Sequence, residues 1–153
     1  LHLVGYGISN LAAFMGIILY YNVTGKENIA DYAGLADRSP FLAMAMSVAL
    51  FSLAGLPFFA GFTTKFYLFT AAAQEGFLWL VGLAITNSLI SLYYYLMVIK
   101  QMYMVPASDK SALKVSLIGG GVLGVLVLAI FLVGMYPAPL VDAVQGATGA
   151  ILP

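Results

Sequence analysis

SLAGLPFFAGFTTKFYLF, residues Ser52 to Phe69, decides how this chain folds. It sets Lys65 inside a stretch, Phe41 to Ala73, that is otherwise almost wholly apolar, and it puts Gly55, Pro57 and Gly61 just ahead of the lysine. A cation near the centre of a bilayer costs roughly 2.5–3.5 kcal/mol on insertion scales, so an intramembrane lysine is a candidate functional site by default. Proline removes a helical N–H and clashes with the turn before it, while glycine loosens the backbone. Transporters build ion sites from membrane helices interrupted in this way.

The surrounding composition makes the membrane reading general. Of 153 residues, 63% are hydrophobic and 8% charged, with a mean hydropathy of +1.02, whereas globular chains are about 25% charged. Formal net charge is zero, which gives no basis for nucleic-acid binding or a polybasic anchor. The absence of cysteine excludes disulfides, thiolate metal sites and iron–sulfur ligation by this chain, and a single histidine argues against a histidine metal site. The chain opens without methionine inside an apolar run and reads as a piece of a longer polypeptide or a trimmed one. That first run is too long for a signal peptide and lacks its basic flank and small-residue cleavage site.

Membrane crossings need about 20 apolar residues each. Four segments qualify, giving an all-α membrane protein of one domain, residues 1–153: spans at about 1–21, 41–73, 77–103 and 115–136, then a weakly amphipathic tail, 137–153, lying along the interface. As one straight rod the second segment would be about 50 Å long against a core of about 30 Å. It is therefore expected to be discontinuous near Gly55–Gly61, with half-helices from about Phe41 to Leu56 and Thr63 to Ala73, the second capped by Thr63 or Thr64. If all four cross, one side carries Lys26, Arg38, Lys100, Lys110 and Lys114, and the other carries Glu75 and Asp142 with no basic residue. The positive-inside rule then places the linkers at 22–40 and 105–114 in the cytoplasm and the C-terminus outside.

Lys65 belongs to neither face. It either snorkels to the interface as an anchor or sits on the broken helix beside freed carbonyls, changing protonation with its surroundings. On the third span Asn87, Ser91, Tyr94 and Tyr95 fall at helical spacing on one face, flanked by Thr86 and Ser88. They serve either ordinary interhelical hydrogen bonding or a water-ordering face beside Lys65. Lys100 reads as an interfacial anchor or a cytoplasmic proton-exit group, and His2 as a proton relay or an incidental residue. Gly5, Tyr6, Ser9 and Asn10 on the first span, and Gly119–Gly121, Gly124 and Gly134 on the last, mark close helix contacts. All six carboxylates fall in linkers or the tail, so Lys65 has no evident acidic partner in this chain.

The core motif G-x-P-x-x-x-G-F-x-x-K-F-Y (Gly55 to Tyr67), with Asp31-Tyr-Ala-Gly-Leu ahead of it and Tyr93-Tyr-Tyr-Leu behind it, resembles the C-terminal third of the antiporter-like subunit N of respiratory complex I, NADH:quinone oxidoreductase. The resemblance implies an inverted-repeat antiporter-like fold in which the four segments are the last four helices of a fourteen-helix subunit. Lys65 would match the lysine of the second repeat's discontinuous helix, in the outward half of a proton path. The first repeat's glutamate and lysines are absent here. Phe58 stands where the family commonly has a second proline, Thr64 where it often has glycine, and Met97 where a basic residue is common.

The function these readings lead to is a proton-translocating membrane subunit of complex I, with the proton path drawn from Lys65, Lys100, His2, Asn87, Ser91 and Tyr94. It would be part of an enzyme without a redox site of its own and would bind no cofactor. FMN, iron–sulfur clusters and quinone would belong to other subunits. Partners would be other membrane subunits and the lipid bilayer, with no nucleic acid, and the location a bacterial plasma membrane. The alternatives are a subunit of a multisubunit cation/proton antiporter and a purely structural segment with a snorkelling lysine.

Overall fold

The computed structural model describes residues 1–107, 109 and 111–151. Regular structure among them is all helical: α1 His2–Thr24, a 3₁₀ turn Ile29–Tyr32, α2 Leu35–Arg38, α3 Pro40–Ala54, α4 Ala60–Gln74, α5 Leu78–Met104, α6 Leu117–Met135 and α7 Ala138–Ile151. α1, α5 and α6 are each long and apolar enough to cross a membrane, and they match the segments expected at 1–21, 77–103 and 115–136 to within three residues at each end. The stretch expected at 41–73 is two helices of 15 residues each, neither long enough to cross alone.

α3 is the central helix, packed against α1, α2, α4, α5 and α6. Proline suits its first position, where the missing N–H would have had no helical partner. Ala43, Ala45 and Ala49 are fully buried on it. Its exposed residues, Phe41 and Met44 among them, lie in its first turns; a helix buried on most sides needs little apolar periodicity, and small side chains let neighbouring backbones close in. α1 lies along α3, α4 and α6, while α5 flanks the bundle on α3 and α4 with much of its surface exposed. α7 covers most of the expected tail; Leu152 and Pro153 lie outside the described residues.

The 22–40 linker, polar in composition, is more than a solvated loop. Tyr32 and Leu35 are only 4% and 1% exposed. Tyr32 stacks on Tyr20 with ring centroids 4.2 Å apart, and the Tyr20 hydroxyl donates to the Asp31 carbonyl at 2.6 Å. The Gly34 N–H donates to the Gln101 carbonyl at 3.3 Å, pinning the linker to the end of α5. Arg38 pairs with Asp109 at 3.4 Å, so two linkers from the basic side meet. Lys110, counted on that side, lies outside the described residues.

Candidate functional site at the helix interruption

α3 stops because Gly55 adopts a left-handed conformation, φ +86. The Leu56 N–H then donates to the Phe51 carbonyl at 3.1 Å and the Gly55 N–H to the Ser52 carbonyl at 3.0 Å, the paired bonds of a Schellman ending. Two carbonyls remain, Leu53 and Ala54. In a continuing helix residue 57 would pair with Leu53, but Pro57 has no N–H. Residue 58 would pair with Ala54, but Phe58 has turned away with φ +75, a conformation rare outside glycine.

Lys65, one and a half turns into α4, points back at those carbonyls. Its Nζ donates to Leu53 O at 3.0 Å, to Ala54 O at 3.3 Å and to Ser88 Oγ on α5 at 3.2 Å. An ammonium has three N–H donors, and each has an acceptor. The end of α3 also carries the negative pole of its helix, which favours a cation there. Glycine is also the residue that leaves room for the lysine: a β-carbon at position 55 would crowd it, 3.1 Å from Lys65 Cδ and 3.2 Å from Nζ. Ser88 lies about 15 Å along α5 from Leu78 and about 24 Å from Met104, at 1.5 Å per residue. The lysine head is therefore turned into the bundle at mid-helix depth rather than out to either end.

The opposite side of the interruption is held by hydroxyls. Ser9 and Ser52 are fully buried, and their Oγ atoms are 2.7 Å apart. Ser9 donates to the Gly5 carbonyl at 2.8 Å, and Ser52 Oγ accepts from the Gly61 N–H at 3.0 Å. Because Ser9 spends its hydrogen on Gly5, Ser52 donates to Ser9. A side chain from α3 thus caps the N-terminus of α4. Gly61 lies against the Ser52 carbonyl so closely that a β-carbon there would overlap it. This corrects the expected cap: α4 begins at Ala60, so Thr63 and Thr64 are inside it. Thr63 donates to the Gly134 carbonyl of α6 at 2.7 Å, and Thr64 Oγ1 lies 3.2 Å from His2 Nδ1.

The residues of the expected α5 face are distributed differently. Ser88 meets Lys65, while its neighbour Asn87 is exposed. Ser91 bonds back to the Asn87 carbonyl at 3.0 Å, and Tyr94 is exposed. Lys100 is exposed near the end of α5, about 18 Å along the helix from Ser88, on a groove with Tyr93, Met97 and Tyr103. His2 comes to the site through Thr64, the neighbour of Lys65; Asn87, Tyr94 and Lys100 do not reach it. Ser9, Ser52 and Ser88 were not picked out as site residues from the sequence. The one signal for Ser52 was its place a turn before Gly55. Among the described residues no three His, Cys, Asp or Glu side chains gather as metal ligands do.

Comparison with known proteins agrees with this architecture. The family described as "NADH:quinone oxidoreductase/Mrp antiporter, TM" matches residues 1–91, more than half of the chain. The chain belongs to this family. Among curated members of related sequence, NADH-quinone oxidoreductase subunit N 2 of Herpetosiphon aurantiacus is 40% identical over 148 residues, covering 97% of this chain and 28% of the relative. Subunit N of Moorella thermoacetica is 41% identical over 150 residues, covering 97% and 32%. Respiratory complex I from Thermus thermophilus with bound aureothin contains a chain superposing with a TM-score of 0.73 at 25% identity, over 90% of this chain and 32% of that one. The chain thus spans about a third of the length of the relatives it matches. With three membrane-length apolar helices, this family member is an integral membrane protein.

Proposed function

We propose that this chain forms part of a proton-translocating membrane subunit of NADH:quinone oxidoreductase, and that Lys65 is the group in it that gains and loses a proton. In this reading α3 and α4 together make one interrupted crossing, so the chain crosses four times, with α7 along the interface. The Arg38 side faces the cytoplasm of a bacterial cell and the C-terminus the outside, and the partners are the other membrane subunits of the complex. The names of the relatives support the complex. The observation that carries the reading is the ammonium of Lys65, held by two carbonyls released at a helix end and one hydroxyl, with no carboxylate partner among the described residues.

The magnitudes are suitable. Moving one charge against 100 mV takes about 2.3 kcal/mol. A hydrogen bond to a charged group is worth about 1.5–3 kcal/mol, so gaining or losing one such bond at Lys65 is a change of the required size. The test is Lys65→Met in the intact complex reconstituted in vesicles. Assembly and NADH oxidation should persist while protons moved per electron fall. Full pumping by the variant would refute the role of Lys65.

The second reading, a subunit of a multisubunit cation/proton antiporter, is favoured by the family itself, whose description includes the Mrp antiporters. Copurification with flavin and iron–sulfur subunits selects the oxidoreductase. Sodium-dependent proton exchange in their absence selects the antiporter.

A further inference from the structure

We infer that Ser88 is the residue through which Lys65 exchanges its proton. The inference rests on the reading of Lys65 given above and adds the identity of its exchange partner. It follows from the unequal chemistry of the three groups around Nζ. The carbonyls of Leu53 and Ala54 only accept hydrogen bonds, whereas the Ser88 hydroxyl both donates and accepts.

As an ammonium, Lys65 places one N–H on each of the three. As a neutral amine it keeps two N–H donors, which match the two carbonyls, and its new lone pair requires a donor. Ser88 supplies one by rotating its hydroxyl. The site is fully satisfied in both protonation states, and Ser88 is the partner that changes role between them. Ser88 also lies on the open side. With Lys65 it forms the polar edge of an otherwise apolar cavity of about 270 Å³, lined also by Ala54, Gly55, Ile85 and three phenylalanines, so that water has both room and polar partners only beside Lys65 and Ser88.

The transfer balances with water as the co-reactant. An N–H bond of the ammonium breaks as its proton joins Ser88 Oγ, and the Ser88 O–H bond breaks as that proton passes to a cavity water. The products are a neutral amine, an intact serine and a hydronium ion; uptake runs in reverse. On the helices packed against α4, the other ionisable side chains are His2, Tyr6, Tyr20 and Tyr21 of α1 and Tyr93, Tyr94, Tyr95, Lys100 and Tyr103 of α5, while α3 and α6 bring none. Of these only His2 approaches the site, and it bonds Thr64 rather than Lys65.

The experiment compares Ser88→Ala, Ser88→Thr and Lys65→Met in the intact complex in vesicles, measuring proton pumping in H₂O and D₂O. Ser88→Ala should pump about a hundredfold more slowly or worse, the range for loss of a positioned proton-transfer group, and its deuterium isotope effect should exceed that of the parent. Ser88→Thr, which keeps the hydroxyl, should restore both. If Ser88→Ala does not assemble, Ser88→Val, which matches threonine in shape but has no exchangeable proton, carries the same expectations. The inference is overturned if Lys65→Met is inactive while the Ser88 variant pumps at the parental rate, or slows with an unchanged isotope effect. Normal pumping by Lys65→Met would instead overturn the underlying reading.

Discussion

Replacing Ser52 by alanine removes a single hydroxyl that joins three helices. In the native arrangement that oxygen accepts from the Gly61 N–H at 3.0 Å and donates to Ser9 at 2.7 Å, with both serines fully buried. The variant leaves the Gly61 N–H, one of the four helix-starting donors of α4, without its cap. Losing an N-cap serine costs typically about 1 kcal/mol, and a buried donor left unpaired costs about 1–3 kcal/mol. The interhelical Ser9–Ser52 bond adds about 0.6 kcal/mol, the average for such bonds inside membranes. The expected loss is therefore about 2 kcal/mol. Ser9→Ala keeps the cap and should cost about 1 kcal/mol or less. In the double variant the shared bond is lost only once, so the combined cost should fall short of the sum. Equilibrium unfolding of the full-length subunit in mixed lipid and detergent micelles measures all three. A Ser52→Ala loss below about 0.5 kcal/mol, the usual range for inconsequential substitutions, would refute the claim that a side chain of α3 caps α4.

Two further perturbations test other parts of the structure. Phe58 is 70% exposed with φ +75, so Phe58→Gly relieves a backbone penalty of about 1–2 kcal/mol at little loss of packing. Set against the extra chain entropy of glycine, the net gain should be about 0.5–1 kcal/mol by unfolding. Phe58→Pro, locked near φ −65, should cost about 3 kcal/mol or more. At Tyr32, burial above all, with Tyr20 and Asp31 adding, pushes the hydroxyl up to about 12. Unfolded tyrosine ionises near 10, so between pH 10 and 12 the unfolded chain binds fewer protons than the native one and stability falls as pH rises. The Tyr32 hydroxyl is also buried without a hydrogen-bond partner among the described residues. Tyr32→Phe should gain about 1 kcal/mol at neutral pH and flatten the alkaline decline. A loss of stability in that variant would show that the hydroxyl is bonded.

The place where α3 gives way to α4 was legible in the sequence, and Lys65 stood out there as a candidate, because both readings depend on residues that act alone. Pro57 cannot supply an N–H anywhere, and an ammonium in an apolar run is conspicuous wherever the chain goes. The half-helix boundaries were harder to read. A threonine before a helix looks like a local cap, but α4 takes its cap from Ser52, on another helix, and only the fold brings the two together. The face of α5 was missed by one residue for a related reason. Asn87, Ser91 and Tyr94 share a face by spacing, but which side of α5 looks inward is set by its contacts with α3 and α4, and those select Ser88. Likewise the polar letters of the 22–40 linker hid the burial of Tyr32 and Leu35, which depends on α1 and α5 being adjacent to it.

The interruption and the lysine are each unfavourable alone and suit each other together. In the proposed interrupted crossing, a helix that ends within the bilayer leaves carbonyls each costing several kcal/mol if unpaired. A lysine at that depth carries a penalty of similar size. Here the carbonyls left by Gly55 and Pro57 are the ones Lys65 occupies, so two costs become a pair of charge-assisted bonds at 3.0 and 3.3 Å. Removing either part should therefore cost stability even where the complex still assembles. A lysine without the interruption would lack acceptors, and an interruption without the lysine would strand two carbonyls. The bracing has the same logic: α1 through Ser9, α6 through the Gly134 carbonyl and α5 through Ser88 each contact the interruption by a polar group at a close helix approach. Three neighbours are needed because a helix end without backbone partners of its own must borrow its geometry from outside. The position of the amine is therefore fixed by the whole bundle rather than by the motif that announces it.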